Sequence, residues 1–342
     1  MTCTLLMTST GGVYSAQTIL SAKASRRHDI RVVAVNADGS AQARHFADAF
    51  AVVPLGNAPG YVDEICDVIK KHGVDLVLPC SDEEALVLAS SRQQIEDAGA
   101  KLACTDIETL RIFSDKKKTY AALQQAGIPV PDWAYVTSRD EFETTFSDLL
   151  ASHGEVAVRP AVSRGGRNVY VIRQDIQDIE SYLGGFELHM DLETFRRDYV
   201  DAALECLPLI LAERLITPAF DSDILAWRGK AIHVIPRQRI DHTGNSQGYE
   251  IFEQKMIAET GHKIAELFNL SWLYDVDWMT NKSGEPRIVE INPRPSGSFT
   301  VPIIAGVPLL DDMISLFRGE DVEPADPPRE QMVIPFNALK VV

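Results

Sequence analysis

Oxygen-bearing side chains are concentrated between residues 273 and 298, in the stretch LYDVDWMTNKSGEPRIVEINPRPSGS. Two apolar-alternating runs, 274–280 and 287–292, flank the polar segment NKSGEP, which predicts a β-hairpin with a six-residue loop over 281–286. In that register Asp277 lies opposite Glu290, and period-2 alternation puts Asn292 on the same face as Glu290. Two opposed carboxylates destabilise a strand pair unless positive charge lies between them. An Arg or Lys would supply that charge, and so would a metal. Two carboxylates and an amide are oxygen ligands of the kind Mg²⁺ takes. A one-residue change in loop length would turn Asp277 to the opposite face.

Further groups with the chemistry to hold an anion lie elsewhere. Arg159 ends an apolar run just before the loop AVSRGGR, where small residues let backbone N–H groups approach phosphate oxygens while a guanidinium offers a two-pronged donor. Lys116, Lys117 and Lys118 fall in the first turn of a predicted helix capped by Ser114 or Asp115, where the helix dipole disfavours cations. That local conflict points to a use elsewhere for one of them. Arg237 and Arg239, two apart on a predicted strand, share a face and form either a two-pronged anion site or salt bridges to acidic neighbours. His233 shares that face and reads as a packing or hydrogen-bonding histidine. The turn TSTGGVYSAQ after the first strand lacks GxGxxG and reads as a tight strand-to-helix turn rather than a dinucleotide site.

The elements that must position these groups follow from patterning. The first hundred residues alternate short apolar runs (3–7, 30–35, 75–79, 100–104) with helix-like stretches (61–72, 82–98), the signature of βαβ units and a parallel sheet. A strand and a helix follow over 132–150, one or two helices are expected over 174–206, and strands resume after 208 with an amphipathic helix over 248–269. VIPFNAL reads as a last strand. The chain of 342 residues suits two to three domains. The expected division is 1–110, 111–207 and 208–342. Net charge −16 excludes a nucleic-acid partner. No apolar run reaches the ~20 residues of a membrane helix and the N-terminus lacks signal-peptide character, so the expected location is the cytoplasm. Five scattered cysteines read as reduced thiols.

Taken in order, a Rossmann-like start, the SDK step at 114–116, VRP before a Gly-rich loop, AERLI, then DVD and VEINPRPSG resemble the ATP-grasp superfamily, nearest the carboxylate–amine ligases related to the carbamoyl-phosphate synthetase large subunit. The resemblance runs from residue 1 to about 318. It implies an α/β protein, α+β in the ATP-binding part, with a Rossmann-like domain before the ATP-grasp fold. It also implies that Lys116 and Arg159 hold ATP phosphates under a loop containing Ser163, Gly165 and Gly166. Glu213 would open the hinge, with Arg214 and Leu215 presenting backbone to adenine. Asp277, Glu290 and Asn292 would be Mg²⁺ ligands (Mn²⁺ as the alternative), and Arg294 would lie near the transferred phosphate or substrate carboxylate. Relatives carry Gly-x-Glu after the hinge, where this chain has TPAFDSD; Asp223 aligns, and the ribose contact falls to Asp221 or is lost. In relatives the strand of Arg237 and Arg239 runs beside the metal hairpin. The implied function is ATP-dependent joining of a small-molecule carboxylate to an amine through an acyl phosphate. The alternatives are a carboxylase or formyl-transfer enzyme on the same scaffold, or a non-catalytic nucleotide sensor. A homodimer is the default assembly.

Overall fold

The computed structural model describes residues 2–162, 168–176, 178–182, 187–240, 248–324 and 329–336. The described residues form three sheets. In the first, β1 (Cys3–Met7), β2 (Ile30–Asn36), β3 (Ala49–Val52), β4 (Leu76–Leu78) and β5 (Lys101–Leu102) run parallel in the order 3-2-1-4-5. The first strand is buried at all five positions, as expected of a parallel strand covered on both faces. Helices such as Tyr61–His72 provide that cover, this one closed by Gly73 at φ +61.

The second sheet contains β6 (Trp133–Val136), β7 (Val156–Pro160), β8 (Val169–Ile172), β9 (Glu180–Tyr182), β10 (Glu187–Met190) and β11 (Leu209–Glu213), in the order 6-11-7-8-10-9. One face packs Val156, Val158, Tyr170 and Leu211 against Phe142, Phe146 and Leu149 of the helix Arg139–His153. The helices expected over 174–206 are only partly present. The two strands β9 and β10 occupy the first half, and the helical turns begin at Leu192. Charge-rich sequence with interspersed apolar residues does not separate an edge strand from a short helix. Because β11 pairs with β6 and β7, the change of sheet falls between Glu213 and Ile216 rather than at residue 208.

The third sheet is antiparallel throughout: β12 (Ile216–Trp227), β13 (Lys230–Arg239), β14 (Tyr249–Ile251), β15 (Trp272–Thr280), β16 (Pro286–Asn292) and β17 (Gln331–Val333), ordered 16-15-12-13-14-17. The helix Lys255–Leu267 lies on one face over Ile224, Val276, Trp278 and Ile288. It approaches β13 so closely that a Cβ on Gly261 would meet Val234 Cγ1 at 2.5 Å, so only glycine fits there without repacking. The same sheet joins the first through a shared core containing Leu5, Leu76, Leu273, Phe299 and Met313. Among the described residues no helix is long and apolar enough to cross a membrane. The five cysteines are free, and burial pushes Cys80 and Cys104 up to about 12, which leaves those two thiols unreactive.

Candidate functional site

The hairpin of β15 and β16 pairs Asp277 with Glu290, as expected, and also Asp275 with Asn292. The loop, however, is one residue shorter than predicted, because Thr280 already pairs with Pro286. Asn281 closes it by accepting from the N–H groups of Ser283 and Glu285 at 3.0 and 2.9 Å, and Gly284 takes φ +78. A shorter loop would have turned the acidic residues to the wrong face. A β-bulge at Val289 restores the register, since Trp278 pairs with Ile288 while Asp277 pairs with Glu290. The bulged Val289 carbonyl accepts from Tyr120 Oη at 2.8 Å, and Tyr120 in turn accepts from Arg159.

Across the sheet, Arg237, Asp221, Asp277 and Glu290 form one row, and Ile235, Asp223, Asp275 and Asn292 the next. Strand alternation places all of these on the face opposite the helix Lys255–Leu267. The oxygens of Asp221, Asp275 and Asp277 lie within 4.8 Å of one another. Five carboxylates (Asp221, Asp223, Asp275, Asp277 and Glu290) meet four cations (Lys116, Arg237, Arg239 and Arg294). Burial raises Asp277 to about 7, with Asp221 and Glu290 adding to the effect and Arg239 opposing it. Burial also lifts Asp275 well above the carboxylate range, reinforced by Asp277, Asp221 and Asp223. For Asp221 burial acts in the same sense, but Arg239 and Arg237 outweigh it and hold the group at about 2. Burial would raise Glu290 too, yet Lys116 holds it below its ordinary value.

The cations expected to hold phosphate converge on this face. Asp115 caps the helix Lys116–Gln125 by accepting from Lys118 N–H at 3.3 Å, a contact worth about 1 kcal/mol. The three lysines then part company. Lys116 is buried and reaches Glu290 at 3.1 Å, Lys117 lies 3.9 Å from the centre of the Tyr135 ring, and Lys118 stands 3.8 Å from Asp115. A cleft of ≈ 520 Å³ opens between the second and third sheets. Lys116, Arg159, Arg239, Asp277 and Glu290 line one part, and Ala157, Val171, Ala212 and 213–217 another. Glu213, Arg214 and Leu215 thus sit on the crossing between sheets, while the Arg214 side chain is drawn off to Glu155 at 3.0 Å. Ser163, Gly165 and Gly166 lie outside the described residues.

Several expectations need correction. Arg237 is fully buried and donates to Asp223 (2.6 Å), Ser298 (3.0 Å) and Ser296 (2.8 Å), so it is an internal strut and not a prong facing a substrate anion. Arg239 lines the cleft but bridges Asp221 and Asp277. Asp221 and Asp223 are 2% and 1% exposed, tied to these arginines, and absent from the cleft wall, which leaves neither available to ribose. Asn292 donates its amide N–H to Asp275 and Asp277 at 3.1 and 3.0 Å and turns its oxygen to Arg294 at 3.2 Å. Arg294 bridges Asp275 (3.6 Å) to Asp82 in the first domain (3.1 Å). Two residues were overlooked. Asp275 stands two before Asp277, so period 2 placed it on the same face; Tyr120 stands four after Lys116, on the same side of its helix.

The donor set fits a divalent cation. Its atoms are hard oxygens, and among the described residues Asp275 Oδ1 and Asp223 Oδ1 are buried without a hydrogen-bond partner. Asp277, Glu290 and, once its amide turns, Asn292 would supply the ligands.

Residues 205–341 match a family model described as ATP-grasp in the biosynthetic pathway with Ter operon, and residues 5–103 match the PylC-like N-terminal domain. The chain is 24% identical over 82% of its length to the carbamoyl phosphate synthase large chain of Methanosarcina mazei, of which it spans 27%. It is 21% identical over 80% of its length, and 70% of the relative's, to a carbamoyl-phosphate synthase of Methanobrevibacter smithii. Similar folds include the biotin carboxylase domain of 2-oxoglutarate carboxylase from Hydrogenobacter thermophilus, solved with MgADP, ADP and bicarbonate (TM-score 0.68, 16% identity, 93% of this chain and 70% of that one). N5-carboxyaminoimidazole synthetase from Staphylococcus aureus is another (TM-score 0.67, 12% identity, 94% and 78%). Residues 205–341 thus carry the ATP-grasp match, and the chain as a whole is similar in sequence to carbamoyl phosphate synthases and in fold to these carboxylase and synthetase structures.

Proposed function

We propose that this chain is an ATP-dependent ligase that phosphorylates a small-molecule carboxylate and joins it to an amine. The observation that carries this reading is the cleft itself: Lys116, paired with Glu290 at 3.1 Å, and Arg159 line it together with Asp277, beside the sheet crossing at 213–217. Adenine would lie against Ala157, Val171 and Ala212, with the backbone of Arg214 and Leu215 at its edge. Lys116 and Arg159 would orient the phosphates, and Mg²⁺, when bound by Asp277, Glu290 and Asn292, would neutralise charge on them. Arg239 and Lys116, which now offset those carboxylates, would be released as cation and nucleotide enter.

Catalysis of this kind rests on positioning and electrostatics. A substrate carboxylate oxygen held near Arg294 attacks the γ-phosphorus and ADP leaves. The amine then attacks the acyl carbon, phosphate departs and the nitrogen loses a proton. Water must be kept from the acyl phosphate between the two steps. ADP release measured against panels of amino acids, other carboxylates and bicarbonate, with hydroxylamine as trap, tests the proposal. Carboxylate-dependent ADP release with a hydroxamate product supports it, and nucleotide binding with no ADP release from any carboxylate refutes it in favour of a sensor.

A further inference from the structure

The hinge sequence TPAFDSD lacks the carboxylate that would take the ribose, and the burial of Asp221 and Asp223 removes the nearest substitutes. Four carboxylates line the cleft: Glu187, Glu213, Asp277 and Glu290. Three are directed elsewhere. Glu213 accepts from the Asp132 N–H through Oε1 at 3.0 Å, and its Oε2 lies 4.0 Å from His153 Nδ1, so both oxygens turn toward the start of β6 and the end of the helix Arg139–His153. Asp277 and Glu290 belong to the phosphate end, held by Arg239 and Lys116. The fourth comes from the strand pair that sequence patterning had read as helix. On β10, Glu187 lies level with Val169 of β8, and His189 with Val171, so both extend the wall that borders the base position.

The protonation pattern of this wall follows from its donors. Arginine only donates, so Arg173 Nη1, 3.3 Å from His189 Nδ1, obliges that nitrogen to accept. The ring proton is then on Nε2, which donates to Glu187 Oε1 at 2.6 Å. Arg173 is fixed by Asp175 at 2.8 Å and Glu180 at 3.0 Å, and the Tyr182 ring lies 4.5 Å from that of His189. Glu187 is thus anchored through one oxygen, and among the described residues its second oxygen accepts no hydrogen bond. A carboxylate with one fixed and one open oxygen, facing a nucleotide cleft, suits the neighbouring hydroxyls of a sugar.

We infer that Glu187, oriented by His189 and Arg173, binds the ribose hydroxyls of the nucleotide from the β10 side of the cleft, replacing the missing hinge carboxylate. This rests on the nucleotide reading above. The test is calorimetric binding of MgATP and of its 2′-deoxy and 3′-deoxy analogues to the intact chain. The unaltered protein should prefer MgATP over at least one analogue by about tenfold, the worth of one hydrogen bond to a charged acceptor. Glu187→Ala should weaken MgATP about tenfold and bring all three ligands to one affinity. His189→Ala, acting only through orientation, should narrow the preference without abolishing it. Should Glu187→Ala fail to fold, the isosteric Glu187→Gln is read by the same ratio. An undiminished ATP-over-deoxy preference in the Glu187 variant overturns the inference and leaves the function standing. No binding of MgATP by the unaltered chain overturns the nucleotide reading, and this inference with it.

Discussion

Two charge networks, both centred on buried carboxylates, hold this molecule together across long stretches of sequence, and they are built differently. In one, Asp312 receives His233 at 2.5 Å and Arg27, while Arg27 also donates to Ser315 at 3.0 Å and His28 lies 2.9 Å from the same hydroxyl. None of its buried polar atoms lacks a partner among the described residues. The other is the acidic face of the third sheet, where, among the described residues, buried oxygens of Asp223 and Asp275 accept no hydrogen bond. A completed network stabilises the fold it spans, whereas an incomplete one holds its charges at a cost to stability until something else supplies the missing cation.

The sharpest way to break this contrast is to remove one group from each network. Glu290→Ala is expected to lower carboxylate-dependent ADP release by about 10³-fold, with little change in the thermal midpoint, because Glu290 lies on an edge strand with a 29% exposed side chain. Wild-type-like ADP release would sink its place in the metal site. Asp312→Ala should do the reverse, destabilising the fold by about 2 kcal/mol, since the buried His233 loses its charged acceptor while Arg27 is exposed enough to return to solvent, with ADP release per folded molecule persisting; denaturant titration alongside the assay reads both. Asp312 is subject to burial, but His233 and Arg27 prevail and hold it below 3.8. Its contribution is therefore fully present above about pH 3.8 and lost as pH falls through the folded value.

Asp275 should behave with the opposite sign. Burial first, then Asp277, Asp221 and Asp223, raise it well above 3.8, so the folded protein favours the neutral form. Stability linked to Asp275 is greatest below pH 3.8 and declines as pH rises toward the folded value. Asp275→Asn escapes that decline and should stabilise the metal-free protein by about 1 kcal/mol at pH 8, with a smaller gain at pH 5. Thermal midpoints of the two proteins at both pH values decide it. A loss of stability at pH 8 would make Asp275 part of a completed network after all.

The contrast also explains what was legible. Parallel strands buried on both faces, the hairpin and the capped helix at Asp115 are written in local periodicity and turn chemistry, so the first, parallel sheet and the opposed pair Asp277 and Glu290 could be read without coordinates. Partner choice across more than a hundred residues has no such code. Arg237 and Arg239 share one face by alternation, yet only the packing of 296–298 against β13 shows that the first is sealed in and the second reaches the cleft. The β9 and β10 pair was hidden because short polar edge strands carry little periodicity. The loop over 281–285 and the bulge at Val289 are two opposite departures that cancel, so the right pairing emerged from the wrong loop length.

The bulge at Val289 also has a hydrogen-bond partner outside its ladder, and removing it gives the smallest of the expected effects. Tyr120 is buried between the networks of the cleft, its hydroxyl donating to the bulged Val289 carbonyl and accepting from Arg159, whose guanidinium carbon lies 5.5 Å from the centre of the Tyr120 ring. Tyr120→Phe removes the hydroxyl and keeps the ring against Trp133, at 5.5 Å between centroids. The loss should be about 1 kcal/mol, the low end for a buried hydrogen bond, because Arg159 also faces the cleft, where solvent can serve it. The bulge would still be fixed by its ladder neighbours, so Glu290 should keep its face. Arg159, freed at one end, would bind phosphate with a less fixed fork, and the MgATP dissociation constant should rise a few-fold, by no more than about 1 kcal/mol. A shift in thermal midpoint with an unchanged dissociation constant would show that Tyr120 serves only the bulge. Unchanged values of both would show that the register of the acidic hairpin is set by its loop and ladder alone.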